Sequence, residues 1–362
     1  MSDIAIRLIA PSGYPHDRVA VTRGVERLQA AGCEVSGLDV LERTELRYAG
    51  GDEQRVADIN ALATRDPLPD IALSIRGGYG ATRLLELVDY AALRECLSGT
   101  DTVLVGHSDF TALQMALHAK SGLITFGGPM LGPDFGAAEF SDFTWQHFWS
   151  TVTAPQATAT WSCGGETELD VEGPLWGGNL AMLCSLLGTP YFPKIDGGIL
   201  FVEDVGEPPF RIERMLYQLH LSGVLDRQRA LLLGDFSQCR PSGYDNGYDL
   251  SAGFAQIGGV SRVPVVANLP FGHEPDKFTL PFGAPARLRV SAGHARLDFS
   301  GYPHLRCSSP CLQGRLGGGR ALECEAKSTP PQPSPASRGG SKCNKLEASN
   351  HGPLQAGLRA NP

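Results

Sequence analysis

The segment TVLVGHSDFTALQMALHA places Ser108 in a tight turn between an apolar strand and a helix. That is the setting of a nucleophile elbow, which lifts a hydroxyl to the top of a sheet. The first turn of the helix behind it carries backbone N–H groups without intrahelical partners, and a partial positive charge. The N–H of Asp109 is thus a candidate donor to an oxyanion. The motif is G-x-S-D rather than G-x-S-x-G, and Ser and Asp are also ordinary helix N-caps. A second segment is RGGYGATR. Its glycines allow close backbone approach, so Gly77 or Gly78 offers a second oxyanion N–H, and Arg76 or Arg83 can meet a carboxylate. Arg83 stands where the third glycine of a dinucleotide fingerprint belongs, so a Rossmann nucleotide site is weakly supported.

Two later segments carry the other groups that a serine nucleophile needs. In ILFVEDVGEPPFRIERML an apolar strand delivers Glu203 and Asp204 at its end. A carboxylate held dry at a strand terminus can orient a histidine; capping the turn is the alternative, and Glu207 suits that better. In NLPFGHEPDKFTLPFG, His273 follows a glycine in a loop after a strand. His107 is its rival as a base, but adjacent side chains on a strand-to-helix turn point apart. Ser, Glu, His is a workable linear order for a triad. Spacing alone does not single out these three.

The elements that must position them read as alternating strands and helices. Strands are expected at Ile4–Ile9, Glu34–Val40, Ile71–Ile75, Thr102–Val105 and Leu123–Phe126. Helices are expected at Arg18–Ala31, Asp52–Arg65, from Ala81, and at Phe110–Ala119, with Gly32 closing the first. This pattern argues for a doubly wound, mostly parallel sheet, with functional groups beyond the carboxyl ends of its strands. Residues 139–172 are less regular and read as a crossover linker. Residues 173–300 then read as a second, mixed α/β domain, with a helix in GGNLAMLCSLLG, a strand at Ile199–Val202, a helix at Arg211–Leu221 and strands at Ala230–Leu233, Val263–Ala267, Phe278–Leu280 and Leu288–Val290. The N-terminal domain is 1–138.

Composition sets the bounds. The chain has 362 residues, 42% hydrophobic and 19% charged, enough for a sizeable core in two domains. Residues 301–362 lack Val, Ile and Phe, and hold eight of the 26 prolines and four of the nine cysteines. They carry a balance of +5, against −13 for residues 1–300, within a net −8. Such a segment cannot bury enough surface to offset its ordering entropy, so a disordered low-complexity tail is expected. A basic interaction tail is the alternative. The acidic body argues against nucleic acid. No apolar run is long enough to span a membrane, and the start MSDIAIRLIAPSGYP reads as a strand rather than a signal peptide, giving a cytoplasmic expectation. Cys33, Cys96, Cys163, Cys184 and Cys239 are scattered and read as reduced core residues. Cys307 and Cys311 lack a second ligand pair, so no metal site is assigned.

Together the segments IRLIAPSG, RGGYGATRLL, GHSDFTAL, GGPM, GPLWGGNLAMLCSLLGTPY, FVEDVGEPPFRIERML and GHEPDKFTLPFGA resemble, in order and spacing, the LD-carboxypeptidase family of serine peptidases. The resemblance spans residues 4–292. It implies a Ser-His-Glu triad of Ser108, His273 and Glu203, assembled across the boundary between two domains. It implies hydrolysis of the amide between meso-diaminopimelate and terminal D-alanine in murein tetrapeptides, through an acyl-enzyme, with no cofactor, in a homodimer. The oxyanion donors would be the N–H groups of Asp109 and Gly78. A terminal carboxylate and a D-centre must also be recognised, and Arg76, Tyr79, Trp176 and Asn179 are candidates because they lie in the glycine-rich motifs; a structural role is the alternative for each, since a tryptophan or asparagine near a helix start often packs or caps. Competing readings are a relative of the microcin C self-immunity type that cleaves an aminoacyl-nucleotide conjugate, a general esterase, and a non-catalytic binding module.

Overall fold

The computed structural model describes residues 4–306. The expectation of a disordered tail falls, from Cys307 on, outside the described residues, together with Cys307 and Cys311.

The first sheet has the order β11-β5-β4-β3-β1-β2. Its members are β1 (Ile4–Ile9), β2 (Cys33–Ser36), β3 (Ile71–Ser74), β4 (Val103–Gly106), β5 (Thr125–Gly127) and β11 (Leu280–Phe282). Strands β1 to β5 pair in parallel. β3 and β4 are buried along their whole length, because helices cover a parallel sheet on both faces. β11 pairs antiparallel with β5, Leu280 opposite Gly127. The order 2-1-3-4-5 reverses between β1 and β3, and the crevice beyond such a switch point is where ligands enter doubly wound sheets.

Local signals explain the helices. In α1 (Arg18–Ala30), Asp17 accepts from the Ala20 N–H, and Val21, Val25 and Leu28 face the core. Gly32 follows at φ +90°, as a helix-terminating glycine should. α2 is Asp52–Asn60, α3 Tyr90–Leu97 and α4 Thr111–Ser121. The helix expected from Ala81 is only one 3-10 turn, Ala81–Leu84; the α-helix begins at Tyr90, capped by Asp89. The strand expected at Glu34–Val40 stops at Ser36, where Gly37 turns the chain at φ +77° into a 3-10 turn.

The second sheet has the order β10-β9-β8-β7-β12-β13-β6. Its strands are β6 (Gln156–Ser162), β7 (Leu169–Asn179), β8 (Ile199–Val205), β9 (Ala230–Ser237), β10 (Val265–Val266), β12 (Pro285–Ser291) and β13 (His294–Ser300). β7 to β10 run parallel, and β7, β12, β13 and β6 form an antiparallel meander. β12 alternates exposed and buried residues strictly, the signature of a sheet wet on one face. The stretch 139–172, expected as a linker, contains helix α5 (Asp142–Val152) and the edge strand β6. Helices α6 (Leu180–Ser185), α7 (Pro209–Leu221) and α8 (Leu250–Val260) are the remaining α-helices among the described residues. Val105 and Phe126 share a continuous core with Phe201 and Phe271, so the two sheets pack on each other.

The body does not end at residue 300 as expected. Tyr302 and Leu305 are buried, Tyr302 edge-on against Phe126 and Leu305 donating its N–H to the Val152 carbonyl. A single aromatic and a leucine give these residues enough apolar surface to pack. Cys96, Cys163, Cys184 and Cys239 are free thiols, and Cys96 is the partly exposed one among these four. No helix among them is long and apolar enough to cross a membrane.

Candidate active site

Ser108 stands at the carboxyl end of β4, in a 3-10 turn that leads into α4. Its φ is +61°, a left-handed conformation that few side-chain-bearing residues adopt and that stores strain at functional turns. Gly77 packs directly on it: a Cβ added there would lie 2.8 Å from the Ser108 Cβ and 2.9 Å from Oγ. Gly78 follows at φ +114°. The backbone of RGGYG therefore faces the serine because neither position accommodates a side chain without strain.

Glu203 lies near the end of β8, fully buried, beside Asn179 of β7 in register. The β8–β9 register shifts between Val202 and Asp204, so Gly234 and Asp235 together oppose Glu203. Bulges of this kind re-aim side chains next to active sites. Glu203 Oε2 is 2.7 Å from His273 Nδ1, and His273 Nε2 is 3.1 Å from Ser108 Oγ. A carboxylate only accepts, so Nδ1 carries the proton and Nε2 is left to accept from the serine hydroxyl. Gly272 delivers His273: at φ +150°, it lies so close to Asp235 that a Cβ would come within 2.8 Å. Burial pushes the His273 pKa down, but the hydrogen bond and charge of Glu203 outweigh it and hold it above the usual imidazole value. This chain of groups can take a proton from serine and return it to a leaving group.

Ser108 and His273 open onto a cleft of about 440 Å³, whose wall includes Arg76, Gly78, His107, Asp134 and Phe140. The Arg76 guanidinium donates to the Tyr14 carbonyl at 2.9 Å and lies 2.6 Å from His16 Nδ1. No carboxylate pairs with it among the described residues. Arg83, the alternative anion ligand, is tied to Asp52 at 2.6 Å.

The other expected ligand-binding residues are placed differently. Tyr79 is 41% exposed and packs beside Tyr48 and under Arg47, away from the cleft wall. Trp176 is a core residue: it is fully buried against Phe192, and its indole N–H donates to Gln228 Oε1 at 2.9 Å. Asn179 lies behind the glutamate, where its Nδ2 donates to Glu203 Oε1 and Asp204 Oδ1, both at 3.2 Å. Asp109 contributes more than a backbone N–H. Its Oδ2 accepts from Ser12 Oγ at 2.6 Å and from the Ala81 N–H at 2.8 Å, tying the β1 and β3 loops to the serine turn. Burial holds this carboxyl above the usual range.

Three groups escaped the sequence reading. Lys277 and Asp134 form a buried ion pair beneath the cleft, and Asp134 Oδ2 also accepts from the Met130 N–H at 2.7 Å. Asp235, next to Glu203, has its pKa raised to about 7 by burial and by the charges of Glu274 and Glu203. A signal existed for Asp134, since PMLGPDFG embeds a single charge in apolar sequence; Lys277 sits among the charges of EPDKF and has none. Asp235 is at the bulge, which no local pattern marks.

The chain matches the model of the LD-carboxypeptidase N-terminal domain over residues 6–128 and that of the C-terminal domain over residues 172–288. It is 46% identical to a muramoyltetrapeptide carboxypeptidase from Oxalobacter formigenes of known structure, with a TM-score of 0.76 over 82% of this chain and 99% of that one. It is 32% identical to the murein tetrapeptide carboxypeptidase of Pseudomonas aeruginosa, over 79% of this chain and 93% of the relative. The microcin C7 self-immunity protein MccF of Escherichia coli is 29% identical over 72% of this chain and 83% of its own length. The structure of MccF in complex with glutamyl sulfamoyl guanosine, at 24% identity and a TM-score of 0.74 over 84% of this chain and 98% of that one, shares the fold. With both domain models matched in order and relatives aligned over nearly their full length, this chain belongs to the LD-carboxypeptidase family and is a serine-type enzyme of that family.

Proposed function

We propose that the protein removes the terminal D-alanine from murein tetrapeptides, cleaving its amide bond to meso-diaminopimelate with Ser108, His273 and Glu203. The observation that carries this reading is the continuous hydrogen-bonded chain from Glu203 through His273 to Ser108 at the wall of the cleft. Ser108 Oγ attacks the carbonyl carbon as its proton passes to His273 Nε2. The oxyanion is held by the N–H groups of Asp109 and Gly78. The C–N bond then breaks, its electron pair stays on nitrogen, and that nitrogen takes the proton from His273. Water hydrolyses the acyl-enzyme by the same route in reverse. Glu203 fixes the His273 tautomer and stabilises the imidazolium.

Arg76 suits the free carboxylate of the D-residue, being a cation at the cleft wall beside the serine turn. The higher identity of the muramoyltetrapeptide carboxypeptidase neighbour favours this substrate over an aminoacyl-nucleotide conjugate. The function we propose is peptidoglycan recycling in the cytoplasm by a homodimer, with residues 1–138 supplying the nucleophile and residues 173–300 the acid and base.

The test is mass spectrometry of L-Ala-γ-D-Glu-meso-diaminopimelate-D-Ala incubated with wild type and Ser108→Ala. D-alanine released by wild type alone is the expected result. Release by neither, with turnover of an aminoacyl sulfamoyl nucleoside by wild type, would move the assignment to the nucleotide-conjugate reading.

A further inference from the structure

His107 precedes the nucleophile and is not used in the mechanism above. Its ring is 2% exposed, yet it forms part of the cleft wall with Ser108 and His273. It stands edge-on to the His273 ring, with centroids 5.3 Å apart. Nδ1 lies 2.9 Å from the Gly128 carbonyl oxygen. A carbonyl only accepts, so Nδ1 carries a proton. Burial pushes the pKa down to about 4, so the ring holds a single proton at neutral pH. The nearest anion, Asp134 at 3.9 Å, is already engaged by Lys277 and does not draw a second proton onto the imidazole. Nε2 is therefore a bare acceptor. Among the described residues no group donates to it, and it is not one of the sealed, unpartnered atoms of the interior. A bare acceptor on a cleft wall beside the nucleophile needs an N–H or O–H from the ligand.

We propose that His107 Nε2 accepts the N–H of the scissile amide, making His107 a substrate-binding residue of the acylation step. This rests on the carboxypeptidase reading above. Once Ser108 has added to the carbonyl, the amide nitrogen becomes tetrahedral and gains a lone pair. Anchoring its hydrogen on His107 turns that lone pair toward His273 Nε2–H, the proton it must receive as the C–N bond breaks. Two histidines thus divide one nitrogen between them: His107 accepts from it and His273 donates to it.

A substrate differing in one group tests this. In the depsipeptide with D-lactate in place of D-alanine, the scissile N–H becomes an ester oxygen. His107→Asn retains a donor for the Gly128 carbonyl and removes the Nε2 acceptor; His107→Gln carries an acceptor oxygen at about the Nε2 position. The parameter to read is kcat/KM, which stops at acylation and does not include the common hydrolysis of the acyl-enzyme. For His107→Asn we expect a loss of about 10- to 100-fold on the amide, the size of one transition-state hydrogen bond. On the depsipeptide we expect a change within about threefold, and His107→Gln should recover part of the amide rate. Equal losses on both substrates would overturn the inference while leaving the carboxypeptidase reading intact. Turnover of neither substrate by wild type would overturn both. If neither variant folds, 15N spectra of wild-type His107 decide: an unprotonated Nε2 from pH 5 to 8 is expected, and a proton on Nε2 overturns the proposal.

Discussion

The serine turn and the Glu203–His273 pair are built by different means. Ser108 is positioned locally. A four-residue buried strand, a glycine-lined turn and a helix follow one another within a short stretch of chain, and the left-handed φ of the serine belongs to that turn. Glu203 and His273 are positioned from a distance. The glutamate needs a parallel neighbour strand and a bulge in the next one, and the histidine needs a glycine pressed against that bulge. The proposed nucleophile is a property of a segment; the proposed base and its orienter are properties of the packed sheet.

The largest expected effect sharpens this contrast. Ser108→Ala should lower kcat by about 10⁶-fold and Glu203→Gln by about 10⁴-fold, with Tm changed little in the first and more in the second, where a fully buried group is altered. Calorimetry beside the kinetics checks it; a Glu203→Gln kcat within a few-fold of wild type would remove Glu203 from the mechanism. A second effect is a shift along the pH axis. The proposed base, His273, can work only when neutral, and Glu203 holds its pKa up, so kcat/KM in wild type should rise with pH through a limb above the ordinary value of about 6.5. In Glu203→Gln burial and Lys277 are opposed only by the charge of Asp134, and the limb should move to lower pH. A limb that stays in place would show that the titrating group is not His273.

Smaller effects probe the local side of the comparison. Gly77→Ala inserts a Cβ against Ser108 and should cost about 10²-fold in kcat with binding little changed. An unaltered kcat would mean that this turn yields, and that the serine is less rigidly built than its φ implies. The smallest effect concerns the end of the body. Ending the chain at Arg306 should leave activity and Tm as they are. Ending it at Ser300 removes Tyr302 and Leu305 and should lower Tm by several degrees, on the order of 2 kcal/mol of burial, while kcat holds. Thermal melts of the two truncations separate these outcomes.

The contrast also explains what could be read in the sequence. The strand–turn–helix around Ser108 announces itself through apolar runs and glycines, because its geometry is local. Glu203 and His273 were picked out by the family resemblance, since nothing in their spacing links residues that meet only after two sheets pack. The fold class followed from alternating elements, but the strand expected at Phe278–Leu280 in the second domain runs instead from Leu280 to Phe282 and pairs with the first sheet, because a three-residue strand joining a distant edge carries no signal of its partner. For Trp176 and Asn179 the sequence leaves ligand contact and a packing or capping role both open, for a related reason. Strands buried on both faces show no alternation, so the sequence does not tell which way their side chains point. One faces the core and the other the back of the glutamate. The helix expected at Ala81 gave way to a turn where Gly80 takes φ +142° and the Ala81 N–H is held by Asp109.

The antiparallel strand Leu280–Phe282 has a consequence for the order of synthesis. During translation the parallel strands of the first sheet emerge early, and their β5 edge stays unpaired until the segment after His273 leaves the ribosome. An open edge of that kind is a site for wrong pairing, and closing it across such a sequence separation is slow. The few residues that seal the edge lie shortly after His273, so the step that protects the nascent sheet also brings in the proposed base. A ribosome-bound fragment ending before His273 would carry Ser108 without its hydrogen-bond partner. The order of translation thus brings the two hydrogen-bond partners together only as the first sheet gains its last strand.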